Sequence, residues 1–171
     1  AIKIDLKKGD QQWPEFLKIN PKGRVPALVT EKGILTENPA IMYYICQLFP
    51  EKKLAPTDPY ELAKAQAFNM YLSSTVHVGH AHKHRGHRWT NDESALASLT
   101  ANVKKNMTDY AEYIENNLIN GPWVLGENYS ICDPYLALVT RWFRDDGVDL
   151  DPFQKIKDHN IKFHKRANVK K

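Results

Sequence analysis

The sequence predicts a small α/β domain followed by an all-helical one, and three observations carry that reading. Strand-like and helix-like stretches alternate over the first fifty residues. Three prolines, Pro50, Pro56 and Pro59, then crowd a stretch with no apolar periodicity, the mark of a linker. Beyond Pro59 the apolar residues recur at helical spacing. The boundaries that follow are 1–52 for the first domain, 53–59 for the linker and 60–171 for the helical domain.

Each element has its own local cause. Ile2-Lys3-Ile4-Asp5-Leu6 alternates apolar with polar residues, as a strand with one buried face does. Pro14 to Ile19 reads as a short helix. It stops at Asn20-Pro21 because proline lacks an N–H and disfavours helix in the residue before it. Ala27–Thr30 and Ile34–Thr36 read as strands joined by a Glu31-Lys32-Gly33 loop, with Gly33 free to take a positive φ. Asn38 is placed as an N-cap and Pro39 as the first helical residue. Ile41, Tyr44, Ile45 and Leu48 then fall at i, i+3, i+4 and i+7 and define one apolar face.

After the linker, Tyr60 to about His87 reads as one unbroken helix. A second, started by Asn91-Asp92-Glu93, runs to about Ile119, where Asn120-Gly121-Pro122 breaks the chain. Ser130-Ile131-Cys132-Asp133 opens a third as a variant capping box. Ile131, Tyr135, Leu138, Val139 and Trp142 form its expected buried stripe. Phe153 to Lys171 reads as a shorter terminal helix.

Composition removes several function classes. The longest apolar stretch, Ala40 to Phe49, is interrupted by Gln47 and is far short of the ~18–20 residues of a membrane span. Of the +4 net charge, the last nineteen residues hold seven Lys or Arg against one Asp. That is a basic tail on an otherwise slightly acidic chain, not the broad aromatic-studded patch expected of a nucleic-acid binder. Cys46 and Cys132 are far apart, sit among apolar neighbours and read as core filling. So few cysteines suit a reducing cytoplasm.

Two stretches carry a resemblance. Asn20-Pro21-Lys22-Gly23-Arg24-Val25-Pro26-Ala27-Leu28, followed by Leu35-Thr36-Glu37-Asn38-Pro39-Ala40-Ile41, resembles the glutathione-binding half of the glutathione transferase family. Ser130-x-x-Asp133 and Leu72-Ser-Ser-Thr-Val-His77 extend it, the latter being similar to a histidine-bearing stretch of the bacterial beta class. The resemblance implies a thioredoxin-like N-terminal domain and an all-helical C-terminal domain. It implies glutathione as co-substrate with no further cofactor, a small electrophilic or hydrophobic second substrate, a homodimer and a cytoplasmic location. It also places Ala1 on the family's second strand, so that the preceding strand and helix, with the catalytic Ser, Cys or Tyr, are expected upstream of Ala1.

Residue by residue, the resemblance implies a glutathione site at Arg24, Val25, Pro26, Glu37 and Asn38. A Val-Pro bond adopts cis at modest cost, which would turn the Val25 N–H and C=O toward the cysteinyl backbone as a short ladder. Glu37 offers a carboxylate to the γ-glutamyl ammonium. The first amides of the helix at Asn38 suit the neighbouring carboxylate; most relatives place Ser or Thr there. Arg24 is a further candidate for the glycyl or side-chain end.

His77 matches the beta-class position beside the thiol, where an imidazole, neutral or charged, stabilises a thiolate. The alternative is a half-buried helix histidine with no chemical role. His77, His80, His84 and His87 share one helical face, and His80 with His84 has metal-chelating spacing. Lys83, Arg85 and Arg88 oppose a cation there, so no metal site is expected. Asp133 is expected to cap its helix and take no part in chemistry. Two functions remain open: a transferase conjugating or exchanging the glutathione thiol with an electrophile or disulfide, and a non-catalytic binding or regulatory module on the same fold.

Overall fold

The computed structural model describes residues 1–169. Lys170 and Lys171, counted above in the basic tail and the terminal helix, lie outside the described residues. The chain divides into two compact units, Ala1–Lys52 and Lys53–Lys171.

The first unit holds α1 (Pro14–Ile19), β1 (Ala27–Thr30), β2 (Gly33–Thr36) and α2 (Asn38–Leu48). Pro14 occupies the first turn of α1, where its missing N–H costs nothing. β1 and β2 pair antiparallel in the register Ala27↔Thr36, Leu28↔Leu35, Val29↔Ile34 and Thr30↔Gly33. The turn is therefore Glu31-Lys32, one residue shorter than expected, and Gly33 takes φ +132° as the first residue of β2.

Three further expectations are corrected in this unit. Ile2–Leu6 is not a strand. The Asp5 amide donates to Asp10 Oδ2 at 2.8 Å, and its carbonyl accepts from the Lys8 and Asp10 amides. Local turn bonds thus take the groups a ladder would need, and Ile2 is 88% exposed. The N-cap of α2 is Glu37, one residue earlier than expected, with Asn38 the first helical residue. Along α2, Pro39, Ile41 and Cys46 are buried, whereas Ile45 and Leu48 of the expected stripe are exposed.

Among the described residues the named elements of the second unit are all helices. Its elements are α3 (Pro59–Tyr71), α4 (His77–Arg85), α5 (Glu93–Asn117), α6 (Cys132–Asp145) and α7 (Gln154–His164). Asp58 caps α3 by accepting from the Tyr60 and Glu61 amides, both at 3.0 Å. The long helix expected from Tyr60 to His87 is not uniform. Leu72–Val76 forms a π-helical turn between α3 and α4, and Gly86–Arg88 closes α4 as a 3₁₀ turn. Such π-turns occur where a residue is accommodated without breaking the helix, often at functional positions. Asp92 Oδ1 accepts from the Ala95 amide at 2.9 Å and starts α5.

α4 and α5 pack closely enough to require a glycine. A Cβ at Gly79 would stand 2.7 Å from Tyr110 Cε2. α6 is the central helix: Leu136, Val139, Thr140 and Phe143 have no exposure, and Tyr135 has 3%. It is buried over most of its circumference, broader than the single stripe expected, and Leu138 and Trp142 are only half-buried. α7 draws its N-terminal cap from another helix: Glu115 of α5 accepts from the Lys155 and Ile156 amides at 2.8 and 3.0 Å.

Asp133 joins these parts. Its Oδ2 accepts from the Ser130 amide at 2.6 Å and the Ser130 hydroxyl at 3.1 Å. Its Oδ1 accepts from the Val124 amide at 2.9 Å and meets His159 Nε2 of α7 at 3.0 Å. The carboxylate thus reaches well beyond its own helix. Asp133→Ala is expected to cost about 3 kcal/mol, since several charge-assisted bonds are lost inside the core. That lowers Tm by roughly 6–12 °C, with glutathione affinity unchanged. A circular-dichroism melt superimposed on the parent's would remove Asp133 from this role.

Candidate functional site

Asn20 organises the first half of the candidate site. It is 1% exposed, and its Nδ2 donates to the Arg24 carbonyl at 2.6 Å while its Oδ1 accepts from the Lys22 amide at 3.3 Å. Its own carbonyl accepts from the Gly23 amide at 2.9 Å. One side chain therefore closes the turn that delivers Arg24, Val25 and Pro26. The Val25-Pro26 bond is cis, Val25 is 40% exposed, and Arg24 and Pro26 are exposed beside it.

Lys22 ties that turn to the second half. Its Nζ donates to Thr36 Oγ1 at 2.8 Å, at the end of β2, and to Glu37 Oε1 in a close ion pair. Both partners of the ion pair are exposed, so its worth is at most about 1 kcal/mol. A carboxylate has two oxygens and about four acceptor positions, so Lys22 leaves Glu37 Oε2 for another cation. Glu37 also has φ +71°, a backbone conformation that costs a non-glycine residue about 1–3 kcal/mol and gathers at functional positions. No side chain caps α2, and Pro39 has no N–H. The Asn38 and Ala40 amides are thus the donors at this helix start, suited to a carboxylate.

In the second unit, His77 opens α4 directly after the π-turn. Its ring lies on the Trp142 indole of α6, centroids 4.7 Å apart, and its Nε2 is 3.4 Å from Arg85 Nη2. A guanidinium only donates. A hydrogen bond between them therefore requires Nε2 of His77 as the acceptor.

His80 stacks on the same indole at 4.8 Å, and its Nδ1 meets Asp146 Oδ2 at 2.6 Å. Lys83 Nζ lies 3.3 Å from Asp146 Oδ1. The histidine face is broken beyond this point, because His87 falls in the 3₁₀ turn and His84 is exposed. Among the described residues no group of three or more His, Cys, Asp or Glu is placed to hold a metal.

Both cysteines lie in the core, Cys46 at 4% and Cys132 at 0% exposure. Burial pushes the Cys46 thiol up from its ordinary value. Burial, with Tyr110 and Tyr113 nearby, pushes Tyr71 up to about 12. Neither group is poised as an anion at neutral pH. An open groove of about 470 Å³ near His82, Trp89 and Leu99 is lined by none of the candidate site residues.

The residues of 1–47 match the family model for the N-terminal domain of glutathione S-transferases. A crystal structure of a glutathione transferase homologue from Sulfitobacter, with bound glutathione, is 42% identical with TM-score 0.95. It covers 99% of this chain, which spans 82% of that one. The chain belongs to the glutathione transferase family.

Glutathione S-transferase GstA of Escherichia coli O157:H7 is 28% identical over 158 residues, which is 91% of this chain and 75% of that protein. A beta-class glutathione S-transferase of Sphingomonas chungbukensis matches with TM-score 0.78 at 25% identity, over 91% of this chain and 75% of its own. In this transferase the sequence motifs had indicated Arg24, Val25, Pro26, Glu37, Asn38 and His77. Asn20, Lys22, Trp142 and Asp146 emerge only from the structure, although Asn20 and Lys22 stand inside the quoted motif.

Two outcomes are expected. Asn20→Ala removes the bonds to Arg24 and Lys22, costs about 1–3 kcal/mol and weakens glutathione binding through the misplaced turn; calorimetry at unaltered affinity would show the turn holds without it. Cys46 in the native protein should react with iodoacetamide at neutral pH far more slowly than after unfolding, since its thiol is both covered and held protonated. Equal native and unfolded labelling rates would contradict that burial.

Proposed function

We propose that this glutathione transferase binds glutathione on Arg24, Val25 and Pro26 and on Glu37 and Asn38, and that His77 favours the thiolate that attacks the second substrate. The half-paired carboxylate of Glu37, carried on a strained backbone beside an uncapped helix start, supports the binding half most directly. The γ-glutamyl end of glutathione carries an ammonium and a carboxylate side by side, and Glu37 with the Asn38 amide presents the complementary pair. The exposed Val25 backbone suits the cysteinyl amide as a short antiparallel ladder.

The chemistry follows from the thiol. Its anion is the nucleophile, so the catalytic task is to favour that anion at neutral pH. The His77 imidazole can donate a hydrogen bond to a sulfur anion, and Arg85, 3.4 Å from its Nε2, adds a positive charge. Both effects favour the charged form. The electrophilic carbon or disulfide sulfur then takes the electron pair, and its leaving group departs. The proposed setting is a cytoplasmic homodimer; among the described residues no helix is long and apolar enough to cross a membrane.

Glu37→Gln should weaken glutathione binding by about 1.5–3 kcal/mol, or roughly ten- to a hundredfold; calorimetric equality with the parent would end the ligand role of Glu37. His77→Asn should slow conjugation of 1-chloro-2,4-dinitrobenzene at pH 7 by about ten- to a thousandfold. It should also move the activity profile to higher pH, because the thiol loses a donor to its anion, with affinity for glutathione little changed. An unshifted profile and unchanged turnover would return His77 to a purely structural role.

A further inference from the structure

The basic C-terminal stretch contains no Trp or Tyr of its own, yet the fold supplies it with both. Lys162 Nζ lies 4.7 Å from the centroid of the Trp123 ring. The guanidinium carbon of Arg166 lies 5.6 Å from the same centroid and 3.6 Å from that of Tyr129. Trp123 and Tyr129 belong to the 121–130 stretch that leads into α6, whereas Lys162 and Arg166 stand in and just beyond the last turn of α7. Two cations four residues apart therefore converge on one indole.

The rings beneath them are held firmly. Trp123 is buried, and it meets Tyr129 edge-to-face at 5.2 Å and the His159 imidazole edge-to-face at 5.7 Å. His159 is tied in turn to the Asp133 carboxylate at 3.0 Å. Phe163 stacks on Tyr129 at 6.4 Å. A cation over a ring face is attracted by the ring quadrupole, so the aromatic faces gather two like charges despite their mutual repulsion.

The donors of both heads are left over. An ammonium carries three and a guanidinium five. Among the described residues neither head has a carboxylate within ion-pair distance. Asp158, four residues before Lys162, bonds Gln154 at 2.9 Å instead, and Glu127 of the 121–130 stretch is exposed. Other lysines of α7 are engaged: Lys155 Nζ donates to the Ile119 carbonyl at 3.2 Å and Lys157 Nζ to the Asp151 carbonyl at 2.7 Å. The helix dipole favours cations at the carbonyl end of α7, but it does not seat two of them on one ring.

We propose that Lys162 and Arg166, seated on Trp123 and Tyr129, form a binding site for a small phosphate-bearing ligand. The site shares no residue with the proposed glutathione site. Charge complementarity selects the class. Two adjacent cations match a phosphate group of charge about −2 better than a single carboxylate. The guanidinium edge suits two phosphate oxygens at once, and the ammonium adds a point charge. Because the rings already hold both heads, little side-chain freedom is lost when the anion arrives.

The test follows the assigned Trp123 indole N–H resonance of the full chain while inorganic pyrophosphate is added. The resonance should move and saturate at about millimolar concentration. Lys162→Gln and Arg166→Gln should each weaken that response by about ten- to a hundredfold, and Arg166→Lys should lose part of it with the fork. Lys105→Gln makes the same charge change on α5, at an exposed side chain paired with Asp109, and should leave the affinity unchanged. Should Arg166→Gln not fold, Lys162→Gln carries the test, since Lys162 is exposed.

A resonance indifferent to pyrophosphate would overturn the proposal, and so would an equal loss of affinity in Lys105→Gln. Succinate, whose two charges are carboxylates, should bind at least about tenfold more weakly; equal affinity would remove the phosphate preference. Vesicles containing phosphatidic acid distinguish a lipid headgroup from a free phosphate. At about 0.15 M salt the chain should stay in the supernatant. Sedimentation with the vesicles through Lys162 and Arg166, without any response to pyrophosphate, would replace the small ligand by a membrane surface.

Discussion

The helical unit depends on one buried carboxylate. Asp133 is fully enclosed, and its two oxygens gather the Ser130 amide and hydroxyl, the Val124 amide and the His159 imidazole. Each partner belongs to a different piece of chain: the entry to α6, the loop that follows α5, and α7. An ionised carboxylate in a dry interior is tolerable only when its acceptor positions are filled. The same requirement that keeps Asp133 satisfied therefore fixes where α6 begins and how α7 lies against it. Tyr135, Leu136, Val139 and Phe143 then fill the core around that fixed axis.

From its far end α6 exports the order that Asp133 establishes. Trp142 and Asp146 stand three turns beyond the cap, and both engage α4 through His77, His80 and Lys83. The opposite side of α4 is set by Gly79, whose missing side chain lets Tyr110 approach. A helix gripped on two sides, and entered through a π-turn, has little freedom to rotate. The histidine face is consequently a product of packing on α5 and α6 more than of its own residues.

The first unit reaches its site by different means. It has only a two-stranded hairpin, which is marginal by itself in water, and its order near the site comes from polar bonds. Asn20 closes the turn before Val25, and Lys22 links that turn to Thr36 and Glu37. Glu37 holds a positive φ at the point where β2 passes into α2. The exposed ion pair contributes little stability, yet it presents charge of both signs within one short stretch.

The sequence by itself determined the two-part architecture, the positions of α1, α2, α5, α6 and α7, and the motif residues from Arg24 to Asn38. These rest on local rules. Proline restricts its neighbours, apolar spacing marks helices, and Ser or Asp caps them within a few residues. Whatever depended on a distant partner was decided only by the tertiary structure. Ile2–Leu6 alternates like a strand but is wound into turn bonds with Asp10, because a strand needs a neighbouring ladder and alternation cannot supply one. Tyr60 to about His87 looks like one helix, but a π-turn at Leu72–Val76 separates α3 from α4. Trp142 reads as one more apolar residue until His77 and His80 are seen on its face. Asp146 and Glu115 read as surface acids until the first is buried against His80 and the second caps α7 from across the bundle. Periodicity reports which side of an element is apolar; which group meets it there is fixed only when the elements pack.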